Sequence, residues 1–372
     1  MKLGFLVNPI AGMGGKVGLK GTDRMSRKAA ALGGKPVAPS RAQDFLKRLK
    51  TLGLTSKIEL ITCPSIMGET EVRKAGLKAS VLAMPHRKVT TAKDTKLAVK
   101  LMAKSNVDLI AFTGGDGTAK DILDAMKGST SLPVLGIPSG VKMYSGIFAA
   151  SPKDAADTIG DFLEGSTQLI DLEIMDVNEE AVRNDRLNVN LYGFLKGPFV
   201  PTRLVGSKQI SPETENEHES QMAVAKFIVE EMNPKATYIL GPGTTIKCIA
   251  DLLRVEKTLL GVDIYRNKRV VKDVNEARIL KEIKDWKNTW LILSPIGRQG
   301  MLLGRGNQQI SPKVIKRIAK DHLIVGATKN KLQGIQGNVL RVDTGDSRVD
   351  NMLKGYVKVA TDYREWRLME IV

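Results

Sequence analysis

Leu109-Ile110-Ala111-Phe112-Thr113-Gly114-Gly115-Asp116-Gly117-Thr118 decides how the chain is read. An apolar run enters a glycine turn, and a helical pattern follows at once, with Ile122, Ala125 and Met126 on one face. The turn therefore stands at the carboxyl end of a buried strand and the amino end of a helix. Open α/β sheets bind ligands at that edge, where backbone N–H groups and the helix dipole attract phosphate. Glycine lets the backbone approach a ligand and adopt positive φ. Asp116 is out of place in a bare phosphate cradle, because it repels phosphate unless it holds a cation or takes a hydroxyl proton. The alternative is an ordinary strand–helix turn with an aspartate near the N-cap.

The flanking sequence repeats the strand–turn–helix plan. Leu3–Val7 reads as a first strand, broken by Asn8-Pro9-Ile10-Ala11-Gly12-Met13-Gly14-Gly15-Lys16. This loop fits neither phosphate template: Val17 stands where the dinucleotide fingerprint needs glycine, and Ile10 where the P-loop needs it. Residues up to Pro39 show no clear period and are expected as an extended loop. Ser40 and Gln43 form a capping-box pattern opening a helix that Gly53 ends. Strands follow at 57–62 and near 80–83, a short helix near 69–75, and a helix at 91–105 with Leu97, Ala98, Leu101 and Met102 inward. Pro133–Pro138 is a strand ending in the small-residue turn Ser139-Gly140-Val141-Lys142-Met143-Tyr144-Ser145. Ser151-Pro152 starts another helix by N-cap and first-turn proline. This alternation predicts a doubly wound parallel sheet, with all three turns along one edge. Asn8, Pro9, Gly12, Gly14, Gly15, Gly114, Gly115, Gly117, Thr118, Ser139, Gly140 and Lys142 make up the candidate phosphate-binding set.

The pattern changes near Gly165, and the expected domains are 1–165 and 166–372. Residues 169–177 and 186–192 read as an antiparallel hairpin. Glu213, Glu215, Glu217 and Glu219 head a helix running to Met232. Thr237-Tyr238-Ile239-Leu240-Gly241-Pro242-Gly243-Thr244-Thr245 then repeats the opening design, with Leu259–Ile264 as its returning strand. Gly297, Gly300, Gly304 and Gly306 crowd the loop before Asn307-Gln308-Gln309. Gly241, Gly243, Thr244, Thr245, Asp263, Gly304, Gly306, Asn307 and Gln308 are the ligand candidates of this second, mixed α/β domain. Pro312–Lys320 reads as a helix, and two alternating segments near the end, 356–360 and 367–372, read as edge strands.

Composition sets the bounds. A chain of 372 residues with 42% hydrophobic content is large enough for two folded domains. Cys63 and Cys248 have no metal spacing and supply no disulfide framework. The amino terminus is too short for a signal peptide before its first strand, and no apolar run reaches 18 residues. A cytoplasmic protein without a membrane partner is expected. The net charge of +17 suits anionic substrates. Aromatic content of 5% gives little base-stacking surface, so nucleic acid is not an expected partner. His86, His218 and His322 are isolated and read as surface or structural residues.

Asn8-Pro9 after the first strand, the Gly114–Thr118 turn and the turn after Pro138 resemble the NAD kinase and diacylglycerol kinase superfamily. With Gly-Pro-Gly-Thr-Thr at 241–245 and Gly-Arg-Gly-Asn-Gln-Gln at 304–309, the resemblance extends to archaeal and bacterial ATP-NAD kinase-like proteins. It implies that Gly114, Gly115, Gly117 and Thr118 cradle nucleotide phosphates and that Asn8 supports them. It also implies that Asp116 acts at the acceptor hydroxyl, as base or through nucleotide-bound Mg²⁺. The chain departs from well-characterised NAD kinases in lacking their Asn-Glu pair early in the second domain: Asn188 and Asn190 stand without a glutamate neighbour. Gly140-Val141-Lys142-Met143 likewise replaces the Gly-Thr-x-Asn of lipid kinases.

The expected activity is ATP- or polyphosphate-dependent phosphorylation of NAD at the adenosine ribose 2′-hydroxyl, giving NADP, with Mg²⁺ accompanying ATP. Phosphoryl transfer depends on positioning and charge neutralisation, and a carboxylate that takes the hydroxyl proton adds roughly 10²–10⁴-fold. A homo-oligomer is expected. The alternatives are a kinase of another hydroxyl acceptor, of lipid or sugar type, and a non-catalytic nucleotide sensor.

Overall fold

Alternation along the first strand places helices on both faces of the first sheet. In β1 (Lys2–Val7), Phe5 stacks on Phe45 of the Ala38–Thr51 helix with ring centroids 5.8 Å apart. Gly4 faces the opposite side, where a Cβ would come within 2.9 Å of Met102 Sδ on the Ala92–Lys104 helix. Successive strand residues point to opposite faces, so the sheet is doubly wound, as the sequence predicts. In the computed structural model the described residues are 1–19, 26–127, 132–140, 143–177, 189–200, 215–297, 299–318 and 320–372. They form two compact units: residues 1–13, 26–177 and 189–200 in the first, 14–19 and those from 215 onward in the second.

The first sheet also contains β2 (Glu59–Thr62), β3 (Ser80–Val81), β4 (Leu109–Gly114) and β5 (Val134–Pro138), in the order β3-β2-β1-β4-β5. Every neighbouring pair is parallel. All six residues of β4 are buried, as expected of a strand covered on both faces. The Ala38–Thr51 helix packs on the Pro152–Leu163 helix, joined by Arg48 and Asp157 at 2.8 Å. The Ala92–Lys104 helix packs on the Asp116–Met126 helix, joined by Lys96 and Asp124 at 2.8 Å.

Beyond the sheet, β6 (Gln168–Val177) and β7 (Val189–Phe199) form the expected antiparallel hairpin, within the first unit. It is clamped to the Asp116–Met126 helix. Tyr192 donates to Asp124 at 2.7 Å, Lys120 pairs with Asp176 at 2.8 Å, and Gly193 leaves room for Leu123. The Lys96 ammonium first, then the Tyr192 hydroxyl, hold the Asp124 carboxyl well below the usual carboxylate range.

Local readings differ in places. The Ala38–Thr51 helix has no capping box: Val37 is its N-cap, Ser40 Oγ donates to the Val37 carbonyl, and Gln43 reaches the Glu71 carbonyl. Pro39 in the first turn starts this helix instead. The capping box belongs to the next long helix, between Thr91 and Asp94. Leu97 is exposed on that helix, and Thr95 and Val99 are buried beside Ala98 and Met102. A helix at Ser26–Ala31 interrupts the expected extended loop.

The second unit is built on a nine-stranded mixed sheet, in the order β10-β9-β8-β11-β13-β15-β16-β14-β12. Its strands are β8 (Thr237–Leu240), β9 (Asp263–Arg266), β10 (Arg269–Val271), β11 (Thr289–Leu293), β12 (Met301–Leu303), β13 (Leu323–Gly326), β14 (Val339–Val342), β15 (Gly355–Asp362) and β16 (Glu365–Ile371). β8, β11 and β13 are parallel neighbours. The returning strand, β9, pairs antiparallel to β8, because the chain turns back over Thr258–Asp263 without a crossover. β15 and β16 are interior strands, not the expected edges: β13 and β14 flank them, and Val359, Ala360, Met369 and Ile371 are buried. The helix expected at Pro312–Lys320 spans Pro312–Ile315. Among the described residues no helix is long and apolar enough to cross a membrane.

Candidate active site

In the first unit the sheet order reverses between β1 and β4, since the chain builds outward to β3 and then returns to the other side of β1. Such a switch point opens a crevice at the carboxyl ends of the strands. Asn8 follows β1 there, and Gly114–Thr118 follows β4. Asn8 Nδ2 donates to Thr118 Oγ1 at 2.9 Å, and the Asn8 backbone N–H donates to the Thr113 carbonyl at 2.9 Å. The turn after β5 joins them, with Ser139 N–H donating to the Gly114 carbonyl at 3.1 Å.

The glycines of this edge are small for identifiable reasons. Gly12 has φ +82°, and a Cβ on it would lie 2.2 Å from the Ser139 carbonyl oxygen. A Cβ on Gly114 would lie 2.6 Å from Thr118, and one on Gly115 would lie 3.4 Å from Gly140 Cα. Three loops thus meet backbone to backbone. Gly117 is exposed at the head of the Asp116–Met126 helix, whose first N–H groups have no intrahelical acceptors. Thr113 Oγ1 and Ser139 Oγ are buried at this edge without hydrogen-bond partners.

Asp116 is the first residue of its helix, and Gly115 is the N-cap. Its carboxylate does not cap its own helix but reaches the loop after β5. Oδ2 accepts from Tyr144 N–H and Oδ1 from Ser145 N–H, both at 2.9 Å. Ser145 Oγ in turn accepts from Met175 N–H at 2.9 Å, tying the loop to β6. Burial, and then the charge of Asp116, raise the Tyr144 hydroxyl pKa above its ordinary value. The two backbone donors at 144 and 145 were invisible in the sequence, because a backbone N–H carries no residue-type signal.

Asn8, Pro9, Gly12, Gly114, Gly115, Asp116, Gly117, Thr118, Ser139 and Gly140 therefore gather at one edge of the first unit. Lys142 lies outside the described residues, as do Asn188 and Glu213. Gly14 and Gly15 belong to the second unit, where the Gln308 side chain fills the space a Gly15 Cβ would need. Among the described residues no cluster of three or more His, Cys, Asp or Glu side chains is placed to hold a metal by itself.

In the second unit, Gly241 and Gly243 stand between β8 and the Thr244–Leu252 helix, which Thr244 and Thr245 open. Asp263 is fully buried, accepting from Thr258 N–H at 2.9 Å, Thr258 Oγ1 and Asp273 N–H at 2.6 Å, with Lys257 Nζ 3.5 Å away. Those contacts fold the turn that reverses the chain into β9. Asn307 is spent on its own loop, accepting from Gly304 N–H at 3.0 Å and donating to the Leu302 carbonyl at 2.8 Å. Gly304 has φ +102°, and a Cβ there would strike the Asp343 carbonyl at 1.9 Å. Gly306 also has positive φ, +79°. His322 stacks on Trp290 at 4.1 Å, and its Nδ1 lies 3.0 Å from the Thr289 carbonyl, a structural arrangement.

Two family models match the chain. Residues 3–167 match the ATP-NAD kinase N-terminal domain, and residues 234–371 match the ATP-NAD kinase C-terminal domain. No curated protein and no solved structure matches it. Taken with the Asp116 turn at the switch point of a doubly wound sheet, the two matches leave little of the sequence outside them. The chain belongs to the NAD kinase-like family of enzymes that phosphorylate a hydroxyl group.

Proposed function

We propose that this protein transfers the γ-phosphoryl group of ATP to the adenosine ribose 2′-hydroxyl of NAD, giving NADP. The reading rests on the two family matches and on one observation: a carboxylate oriented by two backbone donors stands where three glycine loops meet. In this reading the N–H groups at the head of the Asp116–Met126 helix and the Gly114–Thr118 turn hold the donor phosphates. The Asn8–Thr118 hydrogen bond keeps the two loops in register. The buried hydroxyls of Thr113 and Ser139 are further donors at that edge. Asp116 receives the proton of the attacking hydroxyl, which a ribose gives up reluctantly.

The Asp116 carboxylate is a hard oxygen donor of the kind Mg²⁺ takes. Mg²⁺ carried by ATP supplies charge neutralisation on the phosphate oxygens. Polyphosphate is the competing donor.

The test is direct. The protein is incubated with NAD and Mg-ATP, and in parallel with NAD and polyphosphate, and NADP is read through an NADP-specific dehydrogenase. NADP in the ATP arm is the expected result. NADP only in the polyphosphate arm corrects the donor, and none in either arm overturns the reading.

A further inference from the structure

The second unit repeats, on different residues, the design that surrounds Asp116. β8, β11 and β13 are parallel neighbours, so their carboxyl ends form one edge. The turn after β8 leads into the nine-residue Thr244–Leu252 helix through Gly243, at φ +118°. Among the described residues no side chain caps the helix, and its first N–H groups have no intrahelical acceptors. Thr245, in the first turn, is 1% exposed, and its Oγ1 is buried without a hydrogen-bond partner. Helical Cβ atoms tilt toward the N-terminus, so the Thr245 side chain leans toward the helix head. A Cβ on Gly326 would lie 3.9 Å from Thr245 Cγ2, so Thr245 sits over the end of β13.

The other strand ends bring a cation. Ser294, just past β11, is 2% exposed, and Lys331 Nζ donates to its Oγ at 2.9 Å. Among the described residues Lys331 has no ion-pair partner. The carboxylate whose charge acts on it is Glu217, which is engaged by Thr328 Oγ1 at 2.7 Å and Asn330 Nδ2 at 3.3 Å. Burial lowers the Lys331 pKa to about 8, against the smaller opposing pull of Glu217. An ammonium resting on a hydroxyl at one strand end, and a helix head and an unused buried hydroxyl at the neighbouring strand ends, are donors of the kind an oxyanion site uses.

We propose that the carboxyl edge of β8, β11 and β13 binds a phosphoryl group through the head of the Thr244–Leu252 helix, the hydroxyls of Thr245 and Ser294, and the Lys331 ammonium. This site stands independently of which hydroxyl the enzyme phosphorylates. The shared chemistry is a tetrahedral phosphate oxyanion, whether free or carried by a nucleotide.

The full chain is titrated calorimetrically with inorganic phosphate, pyrophosphate and AMP at constant ionic strength, with chloride as control. Saturable binding is expected, weakened at least tenfold in Lys331→Met and severalfold in Thr245→Val, and retained in Lys331→Arg. Circular dichroism checks each fold, and the Ser294→Ala/Thr245→Val double variant substitutes if Lys331→Met does not fold. Tighter binding of AMP than of inorganic phosphate identifies a nucleotide-borne group, and the reverse a free one. Unchanged binding in Lys331→Met (or in the double variant), or no saturable binding, overturns the proposal.

Discussion

Asn8 and Thr118 lie 110 residues apart in sequence, yet Asn8 Nδ2 donates to Thr118 Oγ1 at 2.9 Å. The bond crosses the point where the order of the first sheet reverses. Replacing Asn8 with alanine removes it and leaves the buried Thr118 hydroxyl short of one partner. The expected cost is about 1 kcal/mol of stability, read as a lower urea midpoint. If Asn8 also keeps the donor phosphates in register, kcat/KM for ATP falls by on the order of tenfold in the same variant. Unchanged kcat/KM would confine Asn8 to a structural part.

Asp116 both organises the site and, in the proposed reaction, takes a proton. Asn in its place offers one acceptor oxygen and one NH₂ group, so either Tyr144 N–H or Ser145 N–H loses its acceptor. Asp116→Asn should therefore lose about 1–3 kcal/mol of stability and roughly 10²–10⁴-fold in kcat. Turnover is to be normalised to the folded fraction from urea titration. A variant that turns over normally per folded molecule would remove Asp116 from the chemistry.

Gly12 and Gly33 make a matched pair. Both have positive φ, +82° and +80°, but a Cβ on Gly12 would meet the Ser139 carbonyl at 2.2 Å, whereas one on Gly33 meets nothing within 4 Å. Gly33→Ala carries only the left-handed backbone cost, about 1 kcal/mol. Gly12→Ala carries that cost and forces two loops of the candidate site apart. It should be the more destabilised variant by urea and show the larger rise in KM for ATP. Equal stability and equal KM in the two variants would contradict the close approach.

Asp124 links folding to pH. Its folded pKa lies below the unfolded carboxylate value of about 3.9, chiefly because of Lys96 and then Tyr192. A depressed carboxylate contributes stability above the unfolded pKa, and the contribution is lost as pH falls through and below that value. Asp124→Asn should therefore be less stable than the wild type at pH 7, with the gap closing at acidic pH. Urea midpoints at pH 7, 5 and 3 measure it, and a gap that stays constant would place the Asp124 contribution outside its charge.

The doubly wound first sheet was legible because each local signal agreed with the architecture. The all-buried run Leu109–Gly114, the Ser151-Pro152 cap and the glycine turns each report a local event, and each occurs where it was read. Local signals failed where pairing is non-local. Nothing in Leu259–Ile264 states that β9 runs antiparallel to β8, and nothing in the closing segments states that β15 and β16 lie inside the sheet. Both depend on which edges other strands leave open. Ser40 and Gln43 match the capping-box pattern, but Pro39 starts that helix earlier and Gln43 finds a partner on another segment.

By itself the sequence determined the fold class of the first unit, the three turns at one sheet edge and the choice of Asp116, because strand periodicity, glycine and an isolated carboxylate are properties of short stretches. Tertiary structure alone decided that Asp116 is gripped by the backbone of Tyr144 and Ser145, and that Lys331 rests on Ser294. Those contacts join segments 28, 29 and 37 residues apart through backbone donors and one lysine among many. They arise only when the strands that carry them lie side by side.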